Sequence, residues 1–347
     1  MYKTMNWREV VRTNQNKTYA VIATFILLLL LVGFLADFAW DYTRYPNATP
    51  LTIIKALITF KLIPYVTITS LIVAVIWIGV TFLFHNQLML LGTEYIEVNE
   101  LSQDPLHRKI YNIVEEMKIA ANMRFMPKIF LLNASYMNAF ASGYSEASAM
   151  IAVTVPLVEA LNREELQAVI AHELTHIRNQ DIKLNLFTVI LASMLLIMID
   201  MLFNFMWFFG GSSGRDRDND RGSNNNVATI IFVIVMVLRF VLPLVTMVLM
   251  LFLSRTREYM ADAGAVELMR DNQPLANALI KINQASQAPE VQAAYANTAH
   301  ENLRYSSYIY APKQSQLTDS NDDDPGDFFS THPSLSKRLK SIGAHRP

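Results

Sequence analysis

The sequence contains no cysteine, and charged residues make up only 17% of its 347 residues. The absence of cysteine excludes disulfides, iron–sulfur clusters and cysteine nucleophiles, so any metal site must use histidine and carboxylate ligands. The low charge argues against an ordinary soluble domain, in which about a quarter of the residues are charged. The net charge of −1 gives no reason to expect a nucleic acid as a partner.

Apolar residues make up 52% of the chain and are concentrated in four blocks. Each block approaches the ~20 residues that cross ~30 Å of hydrocarbon, so we predict four transmembrane helices arranged as two hairpins. The amphipathic stretch 51–62 is expected to lie at the membrane interface. The predicted spans are, approximately, residues 19–38, 63–84, 186–209 and 228–253.

The spans divide the chain into four parts. Four spans return the chain to its starting side, so the N-terminus and both soluble parts share one side, and the basic residues near the spans favour the cytoplasm. The polar stretch Gly210 to Asn226 is predicted to be a flexible exposed loop. The parts are residues 1–90 with the first hairpin, 91–184 with the first half of a soluble domain, 185–253 with the second hairpin, and 254–347 with the second half of that domain.

The soluble part before the third span is predicted to mix helices and strands. Apolar residues recur at helical spacing from Leu106 to Asn122. Short strands are predicted for Lys128 to Leu132 and Ala149 to Val155, with a possible third at Asn138 to Ala141.

A further helix is predicted to begin at Asn162. This residue is a good N-cap, and Glu165 three residues later completes a capping box. Helix-forming residues follow as far as Gln180, and we expect the helix to run on into the third span.

Two histidines on this helix, His172 and His176, are four residues apart, so both imidazoles project from one face and can reach one metal ion. Glu173 lies between them in the sequence and can contact a water bound to that ion. Zinc lowers the pKa of such a water, and the adjacent carboxylate can take its proton as the hydroxide attacks a carbonyl. The alternative is a chance occurrence of the motif on a surface helix.

A catalytic zinc site generally has three protein ligands and one open position. No further histidine follows His176 at the spacing of the three-histidine motif. A glutamate on another helix is the remaining solution, and Glu258 and Asp262 lie one helical turn apart just after the fourth span. Glu258 could bind the metal while Asp262 supports the site from behind. The alternative is a solvated acidic face at the start of a helix.

Two charged residues, Asp200 and Arg239, lie inside predicted spans at similar depths. An unpaired charge in hydrocarbon costs several kcal/mol, so we predict that the two face each other and lock the second hairpin. Intramembrane charges also mark transport pathways. They therefore support an alternative function, that of a catalytically inactive membrane scaffold or transporter.

The sequence resembles the HtpX family of bacterial membrane zinc metalloproteases over nearly the whole chain. It shares the order of two spans, a catalytic segment, two more spans and a second catalytic segment. The resemblance implies a mainly helical α+β fold, with four transmembrane helices and a zincin-like domain split by the second hairpin. The matching motifs are His172 to His176, Glu258 with Asp262, Asn138 to Ala141, and Thr331 to Leu335 with Arg338.

This resemblance implies a zinc endopeptidase of the gluzincin type that binds one Zn²⁺ per chain. His172 and His176 would be joined by Glu258 as the third ligand, and Glu173 would be the general base. Asp262 and its partner Arg338 would lie behind the ligands.

The resemblance also implies residues that hold the substrate. Asn138, Ala139, Phe140 and Ala141 look like an edge strand that aligns a substrate backbone, a binding mode that tolerates many sequences. His332 looks like a stabiliser of the oxyanion. From the residues alone, His332 could instead be a cap of a helix that begins at Pro333.

The family further implies partners and a location. The substrates would be polypeptides, chiefly damaged or misfolded membrane proteins cleared during stress. The protein would be a multi-pass protein of the bacterial inner membrane, in contact with the lipid bilayer, with its N-terminus, catalytic domain and C-terminus in the cytoplasm. Nothing in the sequence identifies the oligomeric state.

Overall fold

The computed structural model describes residues 7–45, 47–143, 145–210, 224–297, 308–310 and 332–344. These residues form a mainly helical α+β fold, as predicted. The helices are α1 (Trp7–Arg44), α2 (Pro50–Ile58), α3 (Tyr65–Leu90), α4 (Pro105–Ala120), α5 (Val155–Ala160), α6 (Arg163–Arg178), α7 (Asp181–Gly210), α8 (Asn224–Met269), α9 (Gln273–Ser286), α10 (Pro289–Asn297) and α11 (Leu335–Ser341). The strands are β1 (Tyr95–Val98), β2 (Lys128–Leu132), β3 (Ala139–Ser142) and β4 (Met150–Thr154).

Three of the described helices are long and apolar enough to cross a membrane. They contain the segments Tyr19–Arg44, Phe187–Trp207 and Thr229–Met269. The second predicted span falls on α3, whose apolar part Tyr65–Thr81 belongs to the shorter apolar helices. The structure therefore supports three of the four predicted spans by length and composition. The predicted loop Gly210 to Asn226 lies outside the described residues except at its ends, which belong to α7 and α8.

The chain forms two compact units, and one of them contains residues 16–81 and 186–250. Within this unit, the buried carboxylate of Asp37 on α1 accepts hydrogen bonds from the main-chain N–H groups of Val66 and Thr67, at 2.8 and 2.9 Å. These groups lie in the first turn of α3, where helical N–H groups have no partner within the helix. Asp37 therefore fastens the start of α3 to α1. No local sequence pattern predicts this contact.

The predicted pairing of Asp200 and Arg239 is confirmed. Arg239 Nε lies 2.9 Å from Asp200 Oδ1, which joins α7 to α8 within the same unit. The Arg239 guanidinium also lies 4.2 Å from the centre of the Phe203 ring. A pair of this kind lowers the cost of placing either charge among apolar helices.

The second compact unit contains residues 1–15, 82–185 and 251–347, and its sheet has the strand order β1-β2-β4-β3. β2 and β4 are parallel, whereas β1 and β3 are antiparallel to their neighbours. Strand β3 lies at one edge of the sheet and packs against α6. The three predicted strands are confirmed within one residue at each end. β1 was not predicted, because its four residues are mostly exposed and show no clear alternation.

Helix α6 starts as the sequence predicts. Asn162 Oδ1 accepts from the Glu165 N–H at 2.8 Å, and Glu165 Oε2 accepts from the Asn162 N–H at 3.0 Å, which is the reciprocal capping box. Lys281 Nζ on α9 lies 2.7 Å from the same Glu165 oxygen and ties the two helices together. The capping box and the Lys281 contact therefore fix the start of α6 against α9.

The expectation that α6 runs on into the third span is wrong. Gln180 adopts a left-handed conformation with φ 57°, α6 ends at Arg178 and α7 begins at Asp181. No glycine or proline marks this break in the sequence, so propensity gave no sign of it. The change of direction allows the first residue of α7 to approach the preceding helix.

Candidate active site

The three predicted metal ligands converge in the structure. His172 and His176 project from α6, and Glu258 from the last part of α8. The Nε2 atoms of the two histidines are 3.2 Å apart, and carboxylate oxygens of Glu258 lie 3.9 Å from His172 Nε2 and 3.6 Å from His176 Nε2. All three side chains offer a ligand atom within 4.8 Å of the others.

This donor set fits zinc. Ligands at about 2.0–2.1 Å in a tetrahedron lie about 3.3 Å from one another, close to the observed separations. Two imidazoles and one carboxylate leave the fourth position open, as in catalytic sites. The three residues can therefore hold a metal ion of this kind.

Each imidazole ligand has a carboxylate behind it. Asp262 Oδ1 lies 3.0 Å from His172 Nδ1, and Asp181 Oδ2 lies 3.2 Å from His176 Nδ1. A carboxylate in this position holds the ring so that the other nitrogen faces the metal.

Arg338 contacts Asp262 through two parallel bonds. Its Nε and Nη2 atoms lie 2.9 and 2.5 Å from the two Asp262 carboxylate oxygens. Both side chains are almost completely buried. This geometry holds the Asp262 carboxylate in one orientation behind His172.

Asp181 was missed by the sequence analysis. Its side chain reaches His176 because the chain breaks at Gln180 between α6 and α7. Its main-chain oxygen accepts a hydrogen bond from buried Arg257 at 3.2 Å, and Arg257 also donates to Asn185 at 2.9 Å. The sequence signal for this role was the position of Asp181, an acidic residue five positions after His176.

Gly264 on α8 was also missed. A Cβ atom at this position would clash with the Cγ2 atom of Thr175 on α6 and approach its Oγ1 atom to 2.7 Å. The missing side chain therefore lets the two helices that carry the metal ligands approach closely. A glycine inside a helical stretch two residues after Asp262 was the signal available, because such a glycine usually has a packing reason.

Glu173 is buried beside the ligands. A main-chain hydrogen bond from Ala141 on β3 is directed at its carboxylate, which is otherwise buried among the ligands. A buried carboxylate with so little hydrogen bonding is consistent with a site completed by an ion and its water.

The buried environment shifts the pKa values of the site. Burial raises the pKa of Glu173 to about 8 and lowers the pKa of His172. Burial also opposes protonation of His176, but the carboxylates of Asp181 and Glu258 outweigh it and raise the pKa to about 9. Without a metal, a proton on His176 therefore offsets the negative charge of the site.

His332 lies at the same centre. Its Nδ1 atom is 3.2 Å from Glu258 Oε2, and the side chain is 5% exposed. The residue precedes α11, which begins at Leu335 and carries Arg338. Thr331, part of the same predicted motif, lies outside the described residues.

The predicted substrate strand falls on β3, next to α6. Asn138 directly precedes the strand, and its side-chain Nδ2 donates to Tyr295 Oη at 2.9 Å and to the main-chain oxygen of Tyr310 at 2.8 Å. Ala139, Phe140 and Ala141 form the strand itself and are buried.

Comparisons with known proteins show which family the chain belongs to. The model of peptidase family M48 matches residues 103–346. The chain is similar to the Protease HtpX homolog of Helicobacter pylori, with 35% identity over 343 residues, 97% of this chain and 98% of that protein. It is also similar to the Protease HtpX homolog of Limosilactobacillus reuteri, with 31% identity over 342 residues, 97% of this chain and 99% of that protein. A crystal structure of S. mikatae Ste24p matches with a TM-score of 0.49 and 19% identity, covering 96% of this chain and 66% of that one.

Proposed function

This chain belongs to peptidase family M48 and is a membrane-bound metalloprotease, and from that premise we propose that it is a zinc-dependent endopeptidase. His172, His176 and Glu258 hold one Zn²⁺. The observation that carries this proposal is the set of three ligand atoms within 4.8 Å of one another, next to the buried carboxylate of Glu173.

The residues around the ligands then have distinct roles. When bound, zinc supplies a Lewis acid and lowers the pKa of water. Glu173 takes a proton from the attacking water and returns it to the leaving amine. His332 donates to the oxyanion that develops on the scissile carbonyl, and the strand from Asn138 to Ala141 aligns the substrate main chain. Asp262 and Arg338 keep the His172 ring in place.

The membrane part determines where the enzyme acts. We assign residues 1–90 and 185–253 to two transmembrane hairpins and residues 91–184 and 254–347 to the catalytic domain. The division of the chain into two compact units, one of which contains residues 16–81 and 186–250, supports this assignment. The enzyme then belongs to the bacterial inner membrane, with the catalytic unit and both termini in the cytoplasm. Its substrates are damaged or misfolded membrane proteins, and its role is quality control.

The experiment that tests this proposal compares wild type with Glu173→Gln in detergent, using β-casein as the substrate. Glutamine keeps the shape of the side chain and removes only the proton acceptor. Cleavage should fall by ~10²-fold to 10⁴-fold, while the zinc content stays near one ion per chain. Wild-type cleavage should stop with a chelator and return with zinc. Undiminished cleavage by Glu173→Gln would reject this mechanism. If purified wild type contains no zinc and cleaves nothing, the protein is better explained as a scaffold or transporter.

A further inference from the structure

The edge of strand β3 carries a segment of the same chain, Tyr308–Tyr310. Tyr308 forms an antiparallel bridge with Phe140, and the Ile309 N–H donates to the main-chain oxygen of Ala139 at 2.9 Å. Antiparallel addition of an extended strand to a sheet edge is a common way for proteins to bind peptides. The segment therefore lies where the proposed function places a substrate.

The other main-chain contacts of this segment involve predicted site residues. The Ile309 carbonyl accepts from Arg338 Nη1 at 2.5 Å, and the Tyr310 carbonyl accepts from Asn138 Nδ2 at 2.8 Å. Contacts to main-chain atoms do not depend on the side chains of the bound segment. An extended polypeptide of another protein could make the same three hydrogen bonds.

The side chains of the segment occupy defined surroundings. The Tyr308 ring lies 5.6 Å from the Phe140 ring, and its hydroxyl is 3.0 Å from that of Tyr136. Tyr308 and Ile309 are each 1% exposed, and the Tyr310 hydroxyl donates to Asn283 Oδ1 at 2.7 Å. These surroundings accept an aromatic, an aliphatic and a second aromatic side chain in sequence.

We propose that Tyr308–Tyr310 holds the place of a substrate on β3, and that true substrates are extended segments rich in aromatic and aliphatic residues that displace it. This inference rests on the proposed function, because the substrate strand is part of it. Such segments are buried in folded proteins and become accessible when a protein misfolds. The site is therefore selective for unfolded apolar chain.

The test weakens the hold on the segment and measures peptide binding. Tyr310→Phe removes the segment hydroxyl that donates to Asn283 and interacts with Ser286, whereas Asn283→Ala removes the acceptor for segment and peptide alike. Tyr111→Phe on α4 is the matched control. The proteins are full-length, in detergent, in a Glu173→Gln background, and the probe is a fluorescent peptide Ser-Tyr-Ile-Tyr-Ala. Tyr310→Phe weakens the segment but not the peptide, so it should raise peptide affinity about fivefold. In Asn283→Ala the peptide loses the same acceptor as the segment, so its affinity should stay near that of the parent, and the control should also bind like its parent.

A second peptide tests the preference for side chains. Replacing Tyr-Ile-Tyr by Gly-Ser-Gly should weaken binding more than tenfold. Equal binding of the two peptides, or unchanged affinity in Tyr310→Phe, would show that the segment is a permanent fifth strand and would overturn the inference. If peptides bind as expected but zinc-loaded protein with Glu173 cleaves nothing, the proposed enzymatic function fails and the binding site remains.

Discussion

At the scale of single residues, the ionisation of Glu173 gives a prediction for the metal-free protein. Burial raises the pKa of Glu173 to about 8 from an ordinary value of 4.5. Between these pH values the unfolded chain loses the proton while the folded chain keeps it, so stability falls as the pH rises. The linkage relation gives a loss of about 1.4 kcal/mol for each pH unit in this window.

Glu173→Gln should remove this loss because glutamine does not ionise. In chelator-treated protein, the stability advantage of the variant should grow from about pH 5 to about pH 8 and then stay constant. The free energies of unfolding of both proteins in denaturant, at a series of pH values, measure this advantage. An advantage independent of pH would mean that the carboxyl group ionises normally in the folded protein.

The residue behind His176 gives a second prediction at this scale. Asp181→Asn weakens the acceptor 3.2 Å from His176 Nδ1 without removing a ligand. Changes of this kind typically reduce metal affinity ~10-fold to 100-fold. Competition with a chromophoric chelator measures the change, and Glu97→Gln on exposed β1 should have wild-type affinity. If Asp181→Asn also binds zinc like wild type, the carboxylate only caps the start of α7.

At the scale of secondary-structure elements, the crossing of α6 and α8 sets the ligand geometry. Gly264→Ala improves helix propensity by up to about 1 kcal/mol. The added Cβ meets the Thr175 side chain, with Oγ1 at 2.7 Å, and overpacking a core costs typically ~1–3 kcal/mol. The clash should outweigh the propensity, so the variant should lose both stability and zinc affinity.

A second substitution distinguishes this clash from a general defect. Thr175→Ala removes the Cγ2 and Oγ1 atoms that the new Cβ would meet. The double variant should therefore recover most of the melting temperature and zinc affinity lost by Gly264→Ala. Equal losses in the single and double variants would show that close approach of the helices is not the reason for glycine here.

The pairing of α7 and α8 gives another prediction at this scale. Arg239 Nε and Asp200 Oδ1 are 2.9 Å apart, and removing one partner leaves the other charge among apolar helices. Asp200→Asn should therefore lower stability more than Asp200→Asn combined with Arg239→Gln. Thermal unfolding in lipid nanodiscs measures all variants. If the double variant loses as much stability as Asp200→Asn and Arg239→Gln lose separately and added together, the two groups contribute independently.

Sequence patterns predicted the elements whose signals are local. The capping box of Asn162 and Glu165, the three strands and the apolar helices all depend on neighbouring residues. The metal site was predictable because His172 and His176 are four residues apart on one helix. The contacts of Asp181, Gly264 and Ile309 depend on a break between two helices, a helix crossing and a pairing between distant segments. No local pattern encodes such contacts, so they required the structure.

At the scale of the whole molecule, the metal ligands come from distant parts of the chain. His172 and His176 lie in the segment 82–185 of the catalytic unit, whereas Glu258 lies in the segment 251–347. A ligand that binds only the folded state stabilises it by RT ln(1 + [L]/Kd), or about 1.4 kcal/mol for each tenfold excess over Kd. Zinc should therefore link the stability of these two segments.

The last prediction follows from this linkage. In detergent, the melting temperature of chelator-treated protein should rise with added zinc and keep rising with the logarithm of its concentration above Kd. Glu258→Ala should shift this rise to higher zinc concentrations, because two imidazoles hold the ion less firmly than three ligands. Glu97→Gln should follow the wild-type curve. A wild-type melting temperature that does not respond to zinc would mean that the folded protein does not bind it preferentially. Identical curves for wild type and Glu258→Ala would mean that the third ligand is another residue.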